Sequence, residues 1–223
     1  MAHSRPAPGG GVVVEVPAER LVGWVNRFAG RNDGLGSVTG DSDVVRLIGG
    51  DGTTASIAVP FPPMSINHRE PIEAMLDHVA GLGTVGLVLV RGGAHSVGVV
   101  REGVVLSSST DRAYLQGRTA AGGWSQQRFA RRRGNQLKAS RNDAADTAAR
   151  VLGPIAPTLR ALVLGGDAGG IDAVMRDPRL VALAKLPSRF FGDIPEPRRA
   201  VLDALAARYR TFDITVRPPA GAR

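Results

Sequence analysis

Apolar positions follow two spacings along this chain, and each spacing predicts a different kind of element. In residues 21–28 apolar side chains recur every three or four positions, which predicts an amphipathic helix that begins near Pro17. Residues 84–90 instead form a continuous apolar run, which predicts a strand buried on both faces. Because such strands and helices alternate along much of the chain, the sequence predicts a layered α/β fold.

The N-terminal part of the chain is punctuated by glycine and proline. Residues 1–11 predict a flexible tail, and residues 12–70 predict a small α+β region in which short strands surround the first helix. A glycine turn at residues 49–52 joins two of these strands and indicates a hairpin. Three prolines within residues 60–63 stiffen the next connection, so we expect a domain boundary there and a second domain over residues 71–223.

The second domain is predicted to carry most of the regular structure. Its predicted strands are 84–90, 95–100, 104–106, 162–164 and 212–216, and its predicted helices are 71–79, 126–152, 171–175, 180–186 and 198–209. The polar residues 107–110 predict a turn, and residues 165–170 predict a loop. Gly153 and Pro154 are expected to end the long helix.

Composition narrows the class of protein. The chain has 223 residues, of which 43 % are hydrophobic, so it is long enough to bury a core. It contains no cysteine, which excludes disulfides and thiolate metal sites. The net charge is +8, and only Lys138 and Lys185 among the 28 cationic residues are lysines. No long apolar run and no signal-peptide pattern are present, so we expect a soluble cytoplasmic protein with no membrane partner.

Neither a cofactor nor a metal is expected. Residues 81–86 match G-x-G-x-x-G, but a predicted helix precedes them and a strand follows, which is the reverse of the dinucleotide fingerprint. The four histidines are scattered without the spacing of metal ligands.

One stretch stands out by its charge. Residues 112–142 contain no Asp or Glu. Gly122 and Gly123 allow a close approach of the backbone to another molecule, and Ser125 is predicted as the N-cap of the long helix. Positive charge at a helix N-terminus opposes the helix dipole, and a bound phosphate would reverse that cost. We therefore expect RNA contact, the alternative being a solvated helix face; the residues assigned to it are Arg118, Arg128, Arg131, Arg132, Arg133 and Lys138.

The same stretch resembles a known family. Gly122-Gly123, Ser125, the Arg-Phe-Ala-Arg run at 128–131 and the strand at 162–166 are similar to the catalytic domain of eukaryotic and archaeal class-I peptide release factors. In that family a glutamine follows the paired glycines directly, whereas here Trp124 does and the glutamines come later. A displaced glutamine resembles the Vms-like release factors, and among them the actinobacterial branch. The resemblance covers roughly residues 84–207.

The resemblance implies both a fold and a reaction. The fold would be the layered mixed-sheet domain of the class-I release factors, preceded by the small N-terminal region. The activity would be hydrolysis of peptidyl-tRNA, with the ribosome or its large subunit as partner. Gln126 would orient the attacking water, while Gly122, Gly123 and Ser125 shape the loop. Gln127 is the second candidate, and only one of the two should face the substrate, because adjacent helix residues point about 100° apart.

Two other functions compete with this one. A non-catalytic RNA- or ribosome-binding module would need the arginines but not the glutamine. A small-molecule hydrolase would need a deep pocket with a perturbed acid or base. Since no codon-reading domain is evident in so short a chain, we expect action on stalled complexes that does not depend on a stop codon.

Overall fold

The computed structural model describes residues 4–113 and 124–219, with the side chains of residues 124–130 outside the description. The strands are β1 (Ser4–Pro6), β2 (Val12–Val16), β3 (Leu35–Gly40), β4 (Val44–Gly49), β5 (Thr54–Ala58), β6 (Thr84–Arg91), β7 (Ala94–Arg101), β8 (Val104–Arg112), β9 (Leu159–Gly166), β10 (Ser188–Phe191) and β11 (Phe212–Arg217). The helices are α1 (Leu21–Arg31), α2 (Pro71–Ala80), α3 (Trp124–Leu152), α4 (Ala168–Met175), α5 (Val181–Ala184) and α6 (Arg199–Arg208). The chain divides into two compact units, residues 1–82 with 210–223, and residues 83–209.

The first unit is built on an antiparallel sheet in the order β1-β2-β11-β5-β4-β3. Along β4 the buried residues Val45 and Leu47 alternate with the exposed Arg46, as expected for a strand with one face in the core. α1 buries one apolar stripe that includes Val25 and Phe28. The predicted hairpin of β4 and β5 and the predicted helix at 71–79 are both confirmed.

The N-terminus differs from the predicted tail over residues 1–11. Ser4–Pro6 forms β1, which pairs antiparallel with β2 so that Arg5 lies opposite Val13. The turn between these strands contains Gly9, Gly10 and Gly11, which all adopt positive φ angles. Glycine reaches this region without a Cβ clash, so the glycines reverse the chain. The same composition that indicates flexibility therefore also suits a tight connection.

The division between the units also differs from the predicted boundary at residues 70/71. It falls between residues 82 and 83, so α2 belongs to the first unit. β11 belongs there as well, because it lies between β2 and β5 and pairs with both. Pairing between strands from opposite ends of the chain leaves no local pattern in the sequence, so the sequence alone places the last strand in the second domain.

The second unit has a five-stranded mixed sheet in the order β10-β9-β6-β7-β8. β10, β9 and β6 are parallel, whereas β6, β7 and β8 form an antiparallel meander. The apolar residues of β6 and β7 are buried, as the continuous runs predict. The mixed α/β class predicted from the sequence is confirmed.

Helices cover both faces of this sheet. On one face Ala144 and Ala148 of α3 share a buried cluster with Val97 of β7, and α4 joins the same cluster. On the other face Leu202 of α6 approaches Gly98 so closely that a Cβ there would lie 2.9 Å from its Cδ1 atom. Because successive residues of a strand point to opposite faces, Val97 and Gly98 place α3 and α6 on opposite sides. The unit is therefore a three-layered α/β/α domain.

The turn predicted at residues 107–110 is wrong, because these residues continue β8. Their hydroxyl groups have partners in the fold: Thr110 bonds to Ser96 (2.6 Å), Ser109 accepts from Arg150 (2.9 Å) and Ser108 accepts from Arg199 (3.2 Å). A polar run in an edge strand of the sheet thus resembles a turn when only composition is considered. Two smaller differences are β10, which was not predicted, and α4, which begins three residues earlier than residue 171.

Candidate functional site

The long helix α3 begins with a segment that contributes nothing to the buried core among its described side chains. We call residues 124–139 the arm. None of its described side chains, residues 131–139, is buried, and Ser140, at 2 % exposure, is the first buried residue after them. At a rise of 1.5 Å per residue, the arm is about 24 Å long. The predicted helix at 126–152 is confirmed, and it begins two residues earlier.

A single carbonyl group anchors the root of the arm. The oxygen of Gly93, in the β6–β7 turn, accepts a hydrogen bond from the N–H of Ala113 (2.9 Å) and another from the hydroxyl of Ser140 (3.0 Å). Ala113 is the last described residue before the arm, and Ser140 is the first buried residue after it. Ala113 and Ser140 are thus held at one point of the sheet, which fixes the base of the arm.

The arm carries exposed positive charge. Arg131, Arg132, Arg133 and Lys138 are all exposed. Within residues 4–113 and 131–219, where side chains are described, no carboxylate forms an ion pair with these three arginines. Elsewhere in the same unit Arg179 pairs with Asp146 at 2.6 Å. The charge of the arm is thus available to an anion from outside.

The predicted catalytic residues lie at the far end of the arm or just before it. Ser125, Gln126 and Gln127 belong to the first turn of α3, and their side chains, like that of Arg128, lie outside the description. Gly122, Gly123 and Arg118 lie outside the described residues. Because α3 begins at Trp124, Ser125 is the second residue of the helix and not its N-cap, a shift of the size usual for helix ends. Gln126 is about 21 Å from Ser140 along the helix axis, from 1.5 Å per residue.

Perturbed titratable groups do not form a catalytic pair among the described residues. A hydrogen bond from Arg179 holds the pKa of Asp177 at about 2, and backbone N–H groups of Asp43 and Val44 lower the pKa of Asp41. Neither carboxylate lines the cleft beside Gly93 or the cleft beside His78. These shifts therefore belong to surface ion pairing and a turn, and nothing described here favours the small-molecule hydrolase. No described group of three or more His, Cys, Asp or Glu residues could hold a metal ion.

His95 is a buried histidine beneath α3. It is 2 % exposed, its Nε2 atom lies 3.1 Å from the hydroxyl of Thr147, and its Nδ1 atom has no partner in the described structure. Burial lowers its pKa, and the carboxylates of Asp111 and Asp143 oppose part of that shift. Burial between the sheet and the helix that carries the arm thus favours the neutral imidazole over the charged one.

We expect His95 to make the stability of the second unit depend on pH. Its pKa is lower in the folded chain than in the unfolded chain, so the unfolded chain binds a proton first as pH falls below about 6.5. The free energy of unfolding should therefore decrease on acidification below that pH. The measurement is urea unfolding at several pH values between 7.5 and 5. As pH falls over this range, the free energy of unfolding should decrease more steeply for wild type than for His95→Leu. Replacement of the exposed His68 by Gln is the control, and an unchanged slope in His95→Leu would contradict the assignment.

Comparison with known proteins adds the family. The profile described as "Actinobacteria/chloroflexi VLRF1 release factor", acVLRF1, matches residues 83–215, which is more than half of the chain and includes the whole second unit. The chain belongs to the acVLRF1 family of release factors. The resemblance drawn from residues 122–131 and 162–166 is thereby confirmed, and the acVLRF1 match extends the predicted range of 84–207 to the final strand β11.

Solved structures with detectable similarity are distant. The archaeal translation termination factor aRF1 has 11 % identity and a TM-score of 0.32, covering 89 % of this chain and 66 % of that structure. A structure described as an archaeal protein has 12 % identity and a TM-score of 0.35, with the same coverages. Dom34 of S. cerevisiae has 8 % identity and a TM-score of 0.23, covering 94 % and 70 %. This acVLRF1 chain thus spans about two thirds of the length of the archaeal structures, and a comparison with curated proteins gives no match.

Some residues of the candidate site have no signal in the sequence. Arg131, Arg132, Arg133 and Lys138 lie exposed on the arm, and their contact with RNA stays a prediction. The structure also adds Gly93 and Ser140, which hold the root and were not predicted. The Gly92-Gly93 turn and a single serine in a helix are ordinary features of a sequence. The hydrogen bond between Gly93 and Ser140 is therefore visible only in the structure. No described helix is long and apolar enough to cross a membrane.

Proposed function

We propose that this chain is a peptidyl-tRNA hydrolase that releases nascent peptides from stalled ribosomal complexes without reading a stop codon. The observation that carries the proposal is the arm: in a member of a release-factor family, exposed arginines follow directly on a glutamine-bearing segment, and they have no carboxylate partner among the described residues. Positive charge of this kind binds the phosphates of RNA, and a narrow helix reaches sites that a compact domain does not.

The proposed reaction is hydrolysis of the ester between the nascent peptide and the terminal ribose of tRNA. A water oxygen attacks the ester carbonyl carbon, the bond from that carbon to the ribose oxygen breaks, and the ribose oxygen takes up a proton. The glutamine does not act as a general base, because an amide oxygen is not protonated usefully near neutral pH. Gln126 would hold the water in line through its side-chain oxygen, which lowers the entropic part of the barrier.

The remaining residues would place that amide. Gly122 and Gly123 would let backbone N–H groups approach the developing oxyanion. Arg128, Arg131, Arg132 and Arg133, with Arg118 and Lys138, would bind phosphates of the tRNA or ribosomal RNA. The ribosome or its large subunit would supply the other walls of the site, so the isolated chain does not need a deep catalytic pocket.

The second candidate is a non-catalytic RNA- or ribosome-binding module. The arm's exposed arginines favour it as directly as they favour the enzyme, since binding needs only their charge. The two functions differ in what Gln126 does, because a binding module has no use for an amide at the ester.

The test is a peptide-release assay with the wild-type protein on ribosomal complexes stalled on a sense codon, on a stop codon, or with no codon in the decoding site. We expect similar release rates from all three. Release from free peptidyl-tRNA should be slower by at least about 10²-fold, since positioning by the ribosome is lost. Release that requires the stop codon would contradict the proposal, and binding without release from any complex would favour the binding module.

A further inference from the structure

The root of the arm borders a cleft that the proposed reaction does not use. Its volume is about 540 Å³, and it is lined by the β6–β7 turn (residues 91–94), by Arg112 and Ala113 at the end of β8, and by Glu196. We call it the root cleft. Gly93, whose carbonyl anchors Ala113 and Ser140, is one of the lining residues, so the cleft lies beside the anchored root of the arm.

Two arginines, Arg91 and Arg112, and one carboxylate, Glu196, are among the residues that line the root cleft. Arg112 pairs with Oε1 of Glu196 at 3.1 Å, and Arg198 approaches the same oxygen at 3.4 Å. One carboxylate is therefore shared by two guanidinium groups. Arg91, the other arginine of the lining, donates to the carbonyl oxygen of Ile194, which carries no net charge. The Asp167 carboxylate behind the turn accepts the N–H of Gly92 at 2.8 Å.

The arginines of the root cleft remain accessible to a ligand. The side chain of Arg112 is 67 % exposed, and that of Glu196 is 38 % exposed. A pair exposed to this degree contributes little stability, so a stronger anion would displace Glu196 from Arg112 at small cost. A phosphate oxygen makes short, charge-assisted and often bidentate bonds with guanidinium groups, which makes it the better partner.

We infer that the root cleft binds a backbone phosphate of the RNA that the arm engages, with Arg112 and Arg91 as its ligands and Glu196 as the group that the phosphate displaces. This inference rests on the proposed function, because the arm supplies the reason to choose RNA. An acidic protein segment would find the same arginines, but along the sequence residues 112–142 contain no acid, and Arg131, Arg132 and Arg133 of the arm are exposed. Clustered cations of this kind suit a polyanion.

The inference predicts opposite effects of two substitutions on RNA affinity. Arg112→Gln removes a phosphate contact, so affinity should fall by about five- to tenfold at 50 mM salt. Glu196→Gln removes the competing carboxylate and should raise affinity by about two- to fivefold. Loss of one phosphate contact should also lower the slope of log K against log salt by about 0.7–0.9. A role in folding alone would make both substitutions weaken binding or leave it unchanged.

The measurement is fluorescence anisotropy of the full chain with a fluorescein-labelled RNA hairpin that ends in a single-stranded 3′ segment. Arg46→Gln is the matched control, since Arg46 is also exposed and paired with one carboxylate, Asp41, but lies in the first unit. It should change affinity by less than about twofold, as an exposed residue that does not line the root cleft. Thermal unfolding of each variant confirms that the fold is retained.

Four results would overturn the inference. Affinity could fall in both variants, or change in neither. Association with ribosomal complexes could fall in Arg112→Gln while hairpin affinity stays constant, which would assign the cleft to a protein partner. Inorganic phosphate could protect wild type but not Arg112→Gln from thermal unfolding without any effect on RNA binding, which would assign the root cleft to a small anion.

The failure of this inference can be distinguished from failure of the proposed function. If substitution of the arm's arginines lowers RNA affinity and substitution in the root cleft does not, only this inference fails. If neither substitution lowers RNA affinity, the proposed function fails as well.

Discussion

Replacing Gln126 with alanine is expected to reduce peptide release from stalled complexes by about 10²- to 10³-fold, the usual loss when one positioned polar group of a transition state is removed. The amide is small and neutral, so its loss should leave the charge of the arm and its affinity for the ribosome unchanged. The rate at saturating protein should therefore fall, while the concentration that gives half of the maximal rate stays the same.

Gln127→Ala is the matched control for this prediction. Both glutamines lie in the first turn of α3 and differ by one residue, so the two substitutions have the same effect on helix propensity and charge. Gln127→Ala should reduce the rate by less than about threefold, because only one of two neighbouring helix positions faces the substrate. The reverse outcome would transfer the role to Gln127, and two fully active variants would remove the amide from the mechanism.

The second large effect is expected from the arm's arginines. Substituting Gln for Arg131, Arg132 and Arg133 together should weaken association with ribosomal complexes by about 10²- to 10³-fold at low salt. The slope of log K against log salt should fall by about 2 to 3, since each lost phosphate contact lowers it by about 0.7–0.9. The folded state should keep its stability, because these side chains have no carboxylate partner among the described residues.

Three exposed arginines of the first unit provide a matched control for this triple substitution. Arg20, Arg27 and Arg31 are exposed, lie on or next to α1 in the first unit, and change the net charge by the same amount when replaced by Gln. This control triple should weaken association by less than about threefold, which is the size of a non-specific charge effect. Equal losses in the two triples would show that total charge matters and that the arm has no special role.

Much of the second unit could be predicted from the sequence because its signals are local. The apolar runs of β6 and β7 and the periodicity of α3 each depend on neighbouring residues. Gly153 and Pro154 stop α3 where predicted. The glycines and the arginine run indicated the family for the same reason.

The features that were missed depend on contacts between distant residues. The run of serines in β8 predicts a turn from composition alone, whereas in the structure Ser109 and Ser108 accept hydrogen bonds from Arg150 and Arg199. From its position in the sequence β11 is predicted to end the second domain, but it pairs with β2 and β5 of the first unit. Likewise, the shared Gly93 carbonyl joins residues 47 positions apart, so no periodicity of the sequence could reveal the root of the arm.

The most direct test of the arm as the carrier of a hydrolytic glutamine is single-turnover reaction of wild-type protein with stalled ribosomal complexes, followed by mass spectrometry of both products. The account predicts a peptide with a free C-terminal carboxylate and a tRNA with an intact 3′ ribose, because water cleaves the ester. A released peptide that still carries a nucleotide would show that a phosphodiester was cut instead. Bound protein that leaves the peptide on the tRNA would contradict the account altogether.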